Sequence, residues 1–207
     1  MSELQRVIAK GEGVQLDFKY CIDDKQKISR TLVAFANTSG GRVLIGVKDN
    51  GKIKGVNPEE ELYMIEGASS SYCEPEVKFN SKIWEEGHHL VLEIDVPQSE
   101  VKHKAIDEDG SMKYFVRVEE ITLKANKIVQ KIWTLQKHGQ SKPSEFNEDT
   151  LILLRFIQEN QPLSISKLYK IGLPLKFVDR TIAQLVYWSI VDMTMSDKET
   201  YYSIPVE

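Results

Sequence analysis

Ala34-Phe35-Ala36-Asn37-Thr38-Ser39-Gly40-Gly41-Arg42-Val43-Leu44-Ile45-Gly46-Val47-Lys48-Asp49 decides how the first half of this chain folds. Its first residues end a helix. Gly40 and Gly41 stop that helix, because glycine takes the positive φ of a C-terminal cap without steric cost. Arg42 to Val47 then carries branched residues at every second position, the mark of a buried strand. Asp49-Asn50-Gly51-Lys52 follows as a turn, since Asn-Gly suits type I′ geometry, and residues 53–56 are expected to return as a partner strand.

Working outward, residues 14–20 alternate. Val14, Leu16 and Phe18 fall on one face and Gln15, Asp17 and Lys19 on the other, which predicts a half-buried strand. Asp23 and Asp24 offer N-caps for a helix carrying Ile28, Leu32, Val33, Phe35 and Ala36. Asn57-Pro58 and three glutamates open a helix running to about residue 70. Residues 77–84 and 89–96 form an antiparallel pair, and residues 113–118 a further strand. A helix is expected over 122–138. The predicted class is α+β, a mostly antiparallel sheet with a few helices.

Residues 139–146, which include Gly139-Gln140-Ser141-Lys142-Pro143, form the clearest linker. It separates an expected first domain (1–138) from a second (147–207). In the second, helix, short helix, turn, helix and β-hairpin follow in the order of a winged helix-turn-helix domain. Its third helix, residues 176–188, carries Lys176, Arg180 and Gln184 as one polar stripe facing a DNA groove. The hairpin's Asp197 and Glu199 suit phosphates poorly, so this domain alone binds DNA weakly. An aromatic set near Tyr187, Trp188, Tyr201 and Tyr202 is either an interface or core.

Composition narrows the classes. With 27 Lys and Arg against 31 Asp and Glu, the formal charge is −4, which argues against a generally basic nucleic-acid coat. Cys21 and Cys73, the only two cysteines, lie too far apart for a metal-binding CxxC and suit a reducing cytoplasm. No apolar run reaches the roughly 20 residues of a membrane helix, and the first eleven residues lack a signal-peptide block. The expected setting is cytoplasmic. No GxxxxGK[ST] occurs, so nothing supports ATP binding. His88, His89 and His138 form no metal set.

Residues 10–118 resemble the Schlafen-type AlbA-like domain. The resemblance rests on Glu12-x4-Asp17-Phe18-Lys19, on Ala34-Phe35-Ala36-Asn37-Thr38-x-Gly40-Gly41, and on Leu44-Ile45-Gly46-Val47-x-Asp49-x-Gly51. Lys102-His103 and Tyr114-Phe115-Val116-Arg117-Val118 match later elements more loosely. Lys102 stands where a proline is common, and Glu119 where a glycine often follows the Arg-Val pair.

The resemblance implies DNA binding, as in bacterial transcriptional regulators, with DNA or RNA as partner and a homodimer as the expected assembly. It also implies an alternative, a metal-dependent ribonuclease. Glu12, Asp17 and Asp49 would then be catalytic and hold Mg²⁺ or Mn²⁺, and Lys19 would contact phosphate. Three converging carboxylates repel one another unless a cation compensates, and a divalent metal is the usual solution. Asp17 stands where glutamate is usual, one methylene short. A bland alternative is open too: the acids pair with Lys19, Arg42 or Lys48, and Asp49 simply starts a turn. A protein-interaction adaptor is the third alternative. Site-lining residues would be Asn37, Thr38, Gly40, Gly41, His103 and Arg117. Lys19, Arg42, Lys48, Lys52 and Lys54 form the candidate nucleic-acid surface of this domain.

Overall fold

Strand β1 (Leu16–Lys19) runs parallel to β2 (Gly41–Ile45), and the crossover between them is helix α2 (Lys25–Asn37). In the computed structural model, which describes residues 1–205, the chain divides into two units, Met1–Lys124 and Ala125–Glu207. The break falls ahead of the 139–146 linker that the sequence suggested. The last two residues of the expected second domain, 206 and 207, lie outside the described residues.

The first unit opens with the short helix α1 (Glu3–Ile8), capped by Ser2 and Gln5. Helix α3 (Pro58–Tyr72) has Asn57 as its N-cap and Pro58 in its first turn, as expected. The strands that follow are β3 (Cys73–Glu74), β4 (Asn80–Glu86), β5 (His89–Val96), β6 (Lys104–Ile106), β7 (Met112–Val118) and β8 (Ile121–Lys124). They build two four-stranded sheets, a mixed one ordered β1-β2-β5-β4 and an antiparallel one ordered β3-β6-β7-β8. The chain is mixed α+β.

Helix α2 is the centre of this unit. Its residues from Thr31 to Asn37 are buried without interruption. A helix buried on all sides needs apolar neighbours on all sides. Leu32, Val33, Phe35 and Ala36 join Val43, Ile45 and Ile94 of one sheet, and Ala105 and Phe115 of the other, in one core. On the opposite face of the mixed sheet, α1 packs Leu4 and Val7 over Leu16, Phe18, Leu44 and Val91.

Three local expectations need correction. Residues 53–56 do not return as a strand. Gly46 takes φ 101 and turns the chain out of the sheet, leaving a single bridge between Val47 and Ile53. Asp17 is not on a solvated face but 3% exposed, because the second sheet covers that side, whereas Val14 is exposed. Residues 121–124 are a strand paired with β7 rather than the start of a helix.

In the second unit, Asn126 caps helix α4 (Lys127–His138) by accepting from the Ile128 and Val129 amides. Then come α5 (Glu148–Asn160), β9 (Leu163–Ser164), α6 (Ile165–Leu168), a 3₁₀ turn (Tyr169–Ile171), α7 (Leu175–Tyr187), β10 (Asp192–Met195) and β11 (Thr200–Ser203). The three strands form a sheet ordered β10-β11-β9. Ile128, Leu153, Ile157, Leu168, Ile182, Leu185 and Tyr202 form its core. Helix α4 packs its Ile128, Ile132 and Leu135 stripe there, which is why it belongs with this unit. Among the described residues, no helix is long and apolar enough to cross a membrane.

Candidate nucleic-acid interface

The acidic trio comes first. Asp17 accepts a hydrogen bond from Arg117 Nη2 at 2.8 Å through Oδ1, and Lys19 Nζ lies 2.5 Å from its Oδ2. The lysine sits too obliquely for a well-formed hydrogen bond, so Oδ2 is neutralised by charge alone. Arg117 also reaches Gly13 O and Thr122 Oγ1 and lies against the Phe35 ring. Glu12 accepts the Phe18 amide at 2.8 Å. Burial pushes its carboxyl above the usual range, and the charges of Asp17 and Asp49 push the same way. Asp49 is exposed, in a turn closed by Gly51 N–H to Lys48 O at 2.7 Å.

Among the described residues, no group of three or more His, Cys, Asp or Glu side chains is placed to hold a metal ion. The donor set expected for Mg²⁺ or Mn²⁺ is not assembled, because Asp17 is spent on two cations. These residues do not fit a divalent metal.

The expected lining residues are packed rather than presented. Asn37 Nδ2 donates to His103 O and Phe115 O, and its Oδ1 accepts the His103 amide, all within 2.9 Å. This one side chain ties α2 to β6 and β7. The buried His103 ring lies against Pro75 O at 2.7 Å and Ser99 Oγ at 2.8 Å. Thr38 Oγ1 accepts the Arg117 amide. Gly41 is required by packing, since a Cβ there would lie 2.5 Å from the Phe35 ring. Gly40, at φ 70, would put a Cβ 2.9 Å from Val96 O.

The basic candidates divide. Gly46 N–H and Val47 N–H donate to Lys19 O, Lys54 N–H donates to Gly46 O, and Lys48 N–H donates to Lys52 O. Those bonds bring Lys19, Lys48, Lys52 and Lys54 to the end of β1 beyond β2, and the last three are exposed. Arg42 does not join them. It begins β2 and lies 3.7 Å from the buried Glu93, which also accepts Trp84 Nε1–H. In the second unit, Lys176 and Arg180 are exposed on α7, and Gln184 is half-buried. Asp179 is held by the Tyr169 hydroxyl, whose pKa is pushed up to about 12 by burial and by that carboxylate. Tyr202 is core, Tyr187 and Trp188 are half-buried, with Trp188 bonding Gln140 O and packing near Phe146, and Tyr201 is exposed, so the aromatic set divides between core and surface.

The Schlafen AlbA_2 family profile matches residues 12–126, more than half of the 207-residue chain. The chain belongs to the Schlafen AlbA_2 family. Glu12, Asp17, Asn37 and Arg117 all fall inside the match. No curated protein matches the chain. Several solved structures resemble it, among them the following two. The DIP2311 protein from Corynebacterium diphtheriae is 16% identical with a TM-score of 0.44, over 82% of this chain and 32% of that one. The N-terminal domain of a RecG-related protein from Nitrosomonas europaea is 18% identical with a TM-score of 0.41, over 72% of this chain and 96% of that one. The chain thus spans about a third of the DIP2311 protein. The AlbA_2 assignment supports a nucleic-acid-related role for residues 12–126.

Sequence reasoning named Asp17 and Arg117 separately and missed their pairing, which needs the second sheet folded against β1.

Proposed function

We propose that this protein is a cytoplasmic DNA-binding transcriptional regulator that engages nucleic acid at the lysine-bearing end of its mixed sheet. The gathering of Lys48, Lys52 and Lys54 beside Lys19 carries this reading. Phosphates are the natural partners of clustered, exposed ammonium groups, and they supply most nucleic-acid affinity. The second unit, in this reading, is a winged helix-turn-helix module. Its order of helices and hairpin supports that, and Lys176 and Arg180 on α7 would touch the backbone or a groove. The same unit would join two chains in a homodimer.

Nothing favours the ribonuclease reading to the same degree, since Asp17 is committed to Arg117 and Lys19. Fluorescence anisotropy with labelled oligonucleotides over a salt series tests the proposal. The expected result is binding whose log K falls linearly with log salt, with a slope of about −3 for three to four neutralised phosphates. Absence of binding at low salt overturns it.

A further inference from the structure

Tyr20 follows directly on β1, yet it is 48% exposed. Lys48 Nζ stands 5.8 Å from its ring centroid, at the outer reach of a cation–π contact. The backbone bonds of Gly46, Val47 and Lys54 bring Lys19 and Lys54 to the same end of the sheet. An aromatic face is thus held open among ammonium groups by a rigid strand. We propose that Tyr20 is a stacking platform for one unpaired base, with Lys48 and Lys54 taking the flanking phosphates, so that this surface selects single-stranded over fully paired nucleic acid.

The chemistry follows from what each form of nucleic acid offers. A duplex shows a protein its phosphates and the edges of its bases. Only an unpaired base offers a π face, and stacking on it is indifferent to sequence. Two acids restrict the site: Asp49 in the adjoining turn and Glu12, which feels the charge of Lys19 and Asp49. Both repel phosphate, so the exposed ammonium groups of Lys48 and Lys54 must outweigh them to hold a strand here. A second exposed tyrosine makes the contrast. Tyr63 is 67% exposed with Lys25 Nζ 4.2 Å over its ring, but the exposed Glu59, Glu60 and Glu66 share its helix and repel a phosphate chain.

The proposal rests on the nucleic-acid reading above, and its test separates the two. Full-length wild type, Tyr20→Ala and Tyr20→Trp are titrated with a single-stranded oligo(dT), a single-stranded oligo(U) and a duplex of equal length. Thermal melts confirm that the variants fold. Tyr20→Ala is expected to weaken single-strand binding about tenfold, Tyr20→Trp to retain it, and duplex binding to shift less than about twofold. The two single strands show whether deoxyribose or ribose is preferred. Unchanged single-strand binding in Tyr20→Ala, or equal losses on single strand and duplex, overturns the stacking role and leaves the nucleic-acid reading intact. Absence of wild-type binding to all three overturns both.

Discussion

Asp17 and Arg117 lie 100 residues apart in the chain and 2.8 Å apart in the fold, each 5% exposed or less. The pair joins β1 of one sheet to β7 of the other across the end of α2. Removing Arg117 leaves the buried Asp17 carboxylate with only the partly exposed Lys19 to offset its charge. Arg117→Met should therefore cost about 2–4 kcal/mol in urea unfolding, less than the full penalty of an uncompensated buried charge because Lys19 remains. Asp17→Asn combined with Arg117→Met should recover much of that loss. If the single variant unfolds like wild type, the pair is not structural.

Asn37 satisfies two carbonyls and one amide that α2 and its neighbouring strands bury. Each buried polar group left without a partner costs about 1–3 kcal/mol. Asn37→Ala should lower stability by about 3 kcal/mol or more, read by chemical denaturation. A change under about 1 kcal/mol would mean that water replaces the side chain.

Glu119 adopts φ 51 in the two-residue turn between β7 and β8. A side chain there is strained, and glycine is not. Glu119→Gly should stabilise the protein by about 0.5–1 kcal/mol.

Glu12 is held above the ordinary carboxyl value of 4.5 by burial, reinforced by Asp17 and Asp49. The folded state therefore grips this proton more tightly than the unfolded chain. Its contribution to stability is complete below pH 4.5 and is lost as pH rises through the raised value. Glu12→Gln keeps an oxygen for the Phe18 amide and stays neutral. Its urea midpoint should match wild type near pH 4 and exceed it at pH 7. Equal midpoints at both values would remove the shift.

Lys48, Lys52 and Lys54 changed together to Gln should flatten the salt dependence of nucleic-acid binding by about 2.7 log units per log unit on a duplex, about 0.9 for each lost contact. Arg42→Gln should leave the slope unchanged, because Arg42 faces Glu93 rather than the lysine cluster. Anisotropy titrations across salt distinguish the two.

Local chemistry was enough for the helix ending at Asn37, the glycine turn, the buried strand after it, the Asn57-Pro58 helix start and the α+β class. Each depends on spacing, capping or φ preference within a few residues. The family blocks were visible for the same reason: they are contiguous. The tertiary structure decided what those residues do. Asp17 alternates onto a polar-looking face, and only the second sheet, closing over α2, buries it and supplies Arg117 as partner. Asn37 looked like site lining and became a brace, because its three partners lie 66 or more residues away, on His103 just ahead of β6 and on Phe115 of β7. Gly41 is small because Phe35 occupies the space a Cβ would need. A single sequence cannot show which side of a strand another layer will cover, and burial is what turns a carboxylate from a candidate ligand into half of an ion pair.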